Sequence, residues 1–192
     1  GVAGFYNGWV ADDMLEKLNS IGGSHTKNDF TNSSAEWIKP ITQNYRNIKI
    51  HECPPNGQGI VALIILGILE HFNVKTMPKN DYIHLFCEAV KIGYFLRDQY
   101  LADTHYNKLS ETSFLSKKSL EQYASKIDFN RAKTYEKSLF PDHPDTVYLT
   151  VRDKNGMTIS FINSLFDPFG SGITAPKSGV LFHCRGRGFN LI

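Results

Sequence analysis

The sequence predicts an α+β fold, mainly helical over residues 1–132, with a β-hairpin and further strands from residue 146. Two periodicities, one in each part of the chain, carry that prediction. In the first two-thirds apolar residues recur at i, i+3, i+4 and i+7, as Tyr82, Leu85, Phe86, Ala89, Ile92, Phe95 and Leu96 do, which is the spacing of a helix with one buried face. From Thr146 the period drops to two: Val147, Leu149 and Val151 alternate with Tyr148, Thr150 and Arg152, as successive side chains of a strand do. The 192 residues, 41% apolar and 21% charged, suffice for a packed core and exclude a disordered or collagen-like chain.

Taken in order, Gly8 to Ser20 places Val10, Met14, Leu15 and Leu18 at helical spacing and ends at Gly22-Gly23, a pair suited to closing a helix. Thr26 to Asp29 is a capping signal for a short second helix. Ile38 to Ile41 and Ile48 to Ile50 read as a hairpin about a Gln43–Arg46 turn. Pro54-Pro55-Asn56-Gly57-Gln58-Gly59 punctuates the chain before an apolar helix over 60–71, too short for a membrane span of about 20 residues. A long amphipathic helix over 80–102 and another around 117–127 follow, then an exposed linker over 133–144. Lys154-Asn155-Gly156 turns the last hairpin back into Met157–Ile162. Gly1 to Tyr6 holds no charged stretch leading into an apolar one, so no secretory leader is read, and the compartment is left open.

Charge and cysteine content exclude several partners. Twenty-one Lys and Arg against nineteen Asp and Glu leave a net charge of +2, no footprint for nucleic acid. Three widely spaced cysteines without a CxxC pair indicate neither a disulfide framework nor a zinc site, and the acids and His84 of the long helix form no HExxH, so no metal or cofactor is expected. Gly57-Gln58-Gly59, Gly170-Ser171-Gly172 and Gly186-Arg187-Gly188 do not extend into nucleotide-binding patterns.

The Asp145-Thr146 junction sits where the linker meets the first strand of the last hairpin. A Thr there has a structural reading, because β-branched residues suit strands. It also has a chemical one: a Thr freed at its N-terminus carries an α-amine of pKa about 7.7–8.0 beside its own hydroxyl, a base and a nucleophile in one residue. His143 is read as solvated, and His183 and Cys184, adjacent on a strand, as facing apart. The Phe169–Ile173 stretch is either a plain turn or a close backbone approach to a ligand, and Arg185 and Arg187 are either solvated or a clamp for a carboxylate.

In sequence order these pieces resemble the gamma-glutamyltransferase (gamma-glutamyltranspeptidase) family of N-terminal nucleophile hydrolases, and look more like its cephalosporin-acylase-like branch. The resemblance rests on Phe5-Tyr6-Asn7-Gly8, Gly22-Gly23, Pro54 to Gly59 with Ile68-Leu69-Glu70, Glu88 to Lys91, Arg97 to Tyr100 and Ala102-Asp103. It continues through Asp145 to Tyr148, Asp153 to Gly156, Ser160 to Ser164 and Phe169 to Gly172. What it implies is part of a four-layer αββα sandwich, with residues 1–145 as the end of a large-subunit region and 146–192 as the start of a small one. It further implies a precursor that cuts itself between Asp145 and Thr146, Thr146 as nucleophile and Ser164 as its supporting hydroxyl, with Phe166, Gly170, Gly172 and Arg185 facing the substrate. The implied partners are a small γ-glutamyl or related acyl amide, water or an amine such as an amino acid as acceptor, and further large- and small-subunit segments. Phe166, Arg185 and Gly188 depart from the polar residues that γ-glutamyl enzymes use for the substrate α-amino group. The alternative is a non-catalytic relative, or a fragment serving as a binding or structural subunit, in which Thr146 stays peptide-linked.

Overall fold

The structure, a computed structural model, describes residues 1–103, 111–135 and 145–188. The helices are α1 (Val2–Tyr6), α2 (Trp9–Ser20), α3 (Lys27–Thr31), α4 (Gly59–Leu69), α5 (Lys79–Tyr100), α6 (Glu111–Phe114) and α7 (Lys117–Ala124). The strands are β1 (Ile41–Tyr45), β2 (Ile48–Glu52), β3 (Asp145–Arg152) and β4 (Thr158–Phe166), and a 3-10 turn spans Arg185–Gly188. Among the described residues the molecule is mixed α+β, with two two-stranded antiparallel sheets, β1-β2 and β3-β4. It separates into two compact units: residues 1–35 with those described from 145 on, and the described residues between 36 and 135.

The second unit is built on α4. This helix is apolar all round, so it must be buried, and Ile60, Ile64, Ile68 and Leu69 pack against Leu85, Ala89, Ile92 and Leu96 of α5 and Leu120 and Ala124 of α7. Glu88, 2% exposed, is the charged residue inside this core. Its carboxylate accepts from Lys91 Nζ at 2.6 Å and from the Lys133 backbone N–H at 3.2 Å, the pairing a buried charge requires. Lys133 and Tyr135 are thereby fastened rather than loose, Tyr135 lying 5.3 Å from the Phe95 ring. The remainder of the expected linker, 136–144, lies outside the described residues.

The first hairpin corrects the expected turn. Strand β1 runs through Tyr45, which pairs with Ile48, and Arg46 and Asn47 alone turn the chain, with φ of 48° and 66°. Positive φ at both positions matches the right-handed twist of a two-residue hairpin. A contact distant in sequence holds Arg46 there: its N–H donates to Glu70 at 3.0 Å and its Nη2 to the Phe72 carbonyl at 3.2 Å.

In the first unit α2 begins after Gly8 and ends at Ser20, capped by Ile21, with Gly22 in the left-handed region at φ 88°, the closure its glycine pair predicts. Thr26 and Asp29 form the capping box of α3. The short helices α1 and α6 are additions to the sequence reading. Strands β3 and β4 pair from Val147↔Asn163 to Arg152↔Thr158 around a turn in which Asp153 Oδ1 accepts from Asn155 and Met157 N–H groups. One face of this hairpin, Val147, Leu149, Val151, Ile159 and Phe161, is apolar and exposed. Among the described residues no helix is long and apolar enough to cross a membrane.

Candidate active site

The β3-β4 ladder is regular except at its open end. Val147 pairs with Asn163 but Asp145 pairs with Phe166, so Ser164 and Leu165 together stand opposite Thr146. This is a β-bulge, one extra residue on β4, a device that re-aims side chains. Its result is a hydroxyl pair: Thr146 Oγ1 and Ser164 Oγ lie 2.9 Å apart, hydrogen-bonding distance for two hydroxyls. Ser164 Oγ also accepts the Phe166 N–H at 3.0 Å. Either hydroxyl can be the donor in the contact between Ser164 and Thr146.

Phe166 closes the strand at φ 82°, a region that disfavours every residue but glycine. Its ring lies under the Arg185 guanidinium, 5.5 Å from centroid to carbon, within cation–π range. Arg185 Nη2 donates to the Ser164 carbonyl at 3.3 Å, while Arg187 pairs with Asp167 at 2.6 Å. The two arginines therefore divide: Arg187 is committed to a carboxylate of the protein, and Arg185 stands exposed at the strand end.

Gly170 has φ 55°, and a Cβ there would meet the Phe182 carbonyl oxygen at 2.4 Å. A side chain is excluded both by the backbone conformation and by the space. This close packing sets Pro168 and Phe169 as one wall of an open cleft of about 280 Å³, also lined by Thr146, Asn163, Ser164 and Leu165. Gly172, φ 69°, has open space around it and stands away from that cleft.

Thr146, Ser164, Phe166, Gly170 and Arg185 are thus gathered at one strand end. The backbone of Asp145 is placed beside Phe166. His143 lies outside the described residues. Ser171 Oγ donates to the Phe182 carbonyl, and the His183 ring accepts the Arg185 N–H. Sequence reasoning missed the cleft-lining Asn163 and the buried Asp13 of α2. The signal for Asp13 was available: it falls three residues after Val10 and next to Met14, on the helix's buried stripe.

Comparison with known proteins decides the family. The sequence profile described as Gamma-glutamyltranspeptidase matches residues 1–191. The chain belongs to the gamma-glutamyltranspeptidase family. It is 32% identical over 193 residues to the glutathione hydrolase-like YwrD proenzyme of Bacillus subtilis, all of this chain and 36% of that protein. It is 29% identical over 191 residues to the oxamate amidohydrolase proenzyme of Klebsiella pneumoniae, again all of this chain and 36% of that protein. Among solved structures, the cephalosporin acylase of Bacillus halodurans superposes with a TM-score of 0.85 at 32% identity, over 98% of this chain and 34% of that one. The chain spans about a third of the length of these gamma-glutamyltranspeptidase relatives.

Proposed function

We propose that the protein carrying this chain is an N-terminal threonine hydrolase or transferase that cuts itself between Asp145 and Thr146 and acts on a γ-glutamyl or related acyl amide. The observation that carries the reading is the 2.9 Å contact between Thr146 Oγ1 and Ser164 Oγ on the bulged strand end beside a cleft. Membership of the family and relatives named as proenzymes support it.

In the proposed processing step Thr146 Oγ attacks the Asp145 carbonyl carbon. The C–N bond breaks, the nitrogen takes up the proton that the attacking hydroxyl gives up and becomes an amine, and an ester joins Asp145 to Thr146. Water hydrolyses that ester, leaving residues up to 145 as one chain and those from 146 as another. The freed α-amine then takes the Thr146 hydroxyl proton as Oγ attacks the substrate amide, and gives it to the leaving amine. Water or an amine acceptor releases the acyl group from Thr146. Ser164 orients the nucleophile in this scheme. Phe166 and Gly170 shape the acyl side, and Arg185 meets a carboxylate of the acyl group, since guanidinium matches carboxylate bidentately.

Intact-mass measurement after incubation near neutral pH tests the reading. We expect a chain beginning at Thr146 from the unsubstituted protein and none from Thr146→Ala, together with loss of γ-glutamyl anilide hydrolysis in that variant. Hydrolysis unchanged by Thr146→Ala overturns the nucleophile assignment.

A further inference from the structure

We propose that the Asp13 carboxylate is the polar tie that keeps the two chains together once the backbone is cut before Thr146. The proposal rests on the reading of that junction given above. Asp13 belongs to the part before the cut and is 3% exposed. Its oxygens accept the Ser178 N–H at 2.7 Å and the Lys177 N–H at 3.1 and 3.3 Å, donors 165 and 164 residues further along. One carboxylate thereby takes two consecutive backbone donors of the part after the cut, and charge-assisted bonds of this kind are stronger than neutral ones.

The gripped tip is part of a rigid loop. Gly179 N–H donates to the Ala175 carbonyl and Ala175 N–H to Val180, Phe182 N–H donates to Ile173 and Ser171 N–H to Phe182, all at 2.9 to 3.0 Å. Ala175 in its middle is 0% exposed. At the base the Cys184 N–H donates to the Leu165 carbonyl at 3.1 Å, so the loop continues directly into the bulged end of β4. Separating the chains would leave a buried carboxylate and two backbone donors to be rehydrated together, and no partial separation satisfies them. The neighbouring pair, Lys177 Nζ to Glu16 at 2.8 Å, is exposed on both sides at 65% and 70% and contributes little by comparison.

The test cuts the backbone without calling on Thr146. A site for a sequence-specific protease is placed within residues 136–144 of the protein carrying this chain, in a Thr146→Ala background, and the two parts are followed by gel filtration in increasing urea. We expect Asp13→Ala and Asp13→Asn to weaken their association by at least about tenfold, while Lys177→Ala, which keeps the backbone donor, changes it less than about twofold. Association unchanged in both Asp13 variants, or lowered as much by Lys177→Ala, overturns the tie. Hydrogen exchange on the uncut, unsubstituted protein needs no variant: slow exchange at the Lys177 and Ser178 amides is expected, and rapid exchange at both overturns the contact. Failure of the unsubstituted protein to cut itself strikes the junction reading alone, because the engineered cut does not depend on it.

Discussion

Thr146 and Ser164 are ordinary strand residues by composition, and what distinguishes them is one extra residue in β4. Without the bulge Leu165 would continue the register and stand opposite Asp145; with it, Phe166 takes that place and its N–H turns to Ser164 Oγ at 3.0 Å. Ser164→Ala removes the partner of Thr146 Oγ1 and of the Phe166 N–H at once. The expected outcome is self-cleavage slowed by about 10- to 30-fold, the worth of one or two hydrogen bonds, with Ser164→Thr retaining most of the rate. Time-resolved intact mass checks this, and equal rates for the alanine and threonine variants would remove Ser164 from the site. Arg185 permits a sharper test of substrate. A glutaryl anilide and a γ-glutamyl anilide share the distal carboxylate and differ in the α-ammonium group, which a guanidinium repels. We expect the glutaryl compound to be hydrolysed faster, and Arg185→Gln to lower its kcat/KM by about 10- to 100-fold, the range of a charge-assisted hydrogen bond. A γ-glutamyl preference in the unsubstituted protein would count against the assigned role of Arg185.

At the scale of elements, stability rests on helix contacts that periodicity already revealed. Leu85 is 0% exposed between α5 and α4, so Leu85→Ala leaves a cavity costing about 2–5 kcal/mol, measurable by urea unfolding. Gly170→Ala acts elsewhere: it forces a Cβ to within 2.4 Å of the Phe182 carbonyl oxygen, and the cleft wall must move. Impaired self-cleavage with intact α4-α5 packing is the expected phenotype, checked by mass and by circular dichroism. The helices α2, α3, α4, α5 and α7 and the last hairpin were legible in the sequence because local spacing and capping specify them. The first turn was not, since Arg46 is placed by Glu70 and Phe72 from beyond its own hairpin. The hydroxyl pair was legible only through family resemblance. Neither the bulge nor the left-handed Phe166 has a local sequence signature, because both arise from how β4 meets the loop after it.

At the scale of the whole molecule, chain order and spatial order differ, and acid titration reports how. Helix α2, near the start, and the loop 171–182, near the end, are joined through Asp13, whose charged neighbour across the contact is Lys177, itself paired through its ammonium group with Glu16 of α2. Burial pushes the Asp13 carboxyl up, but the hydrogen bonds from Ser178 and Lys177 and the Lys177 charge more than offset it, and the group stays below its ordinary value. A carboxyl whose folded value is depressed stabilises the fold fully above its unfolded pKa, and that contribution disappears as the pH falls through the folded value. Thermal melting of the unsubstituted protein and of Asp13→Asn should therefore differ most near neutrality. The gap should narrow as the pH is lowered into the range below ordinary carboxylates, where Asp13 takes up its proton. A gap of constant size from about pH 6 to about pH 2 would mean that charge on Asp13 plays no part in joining the two ends of the chain.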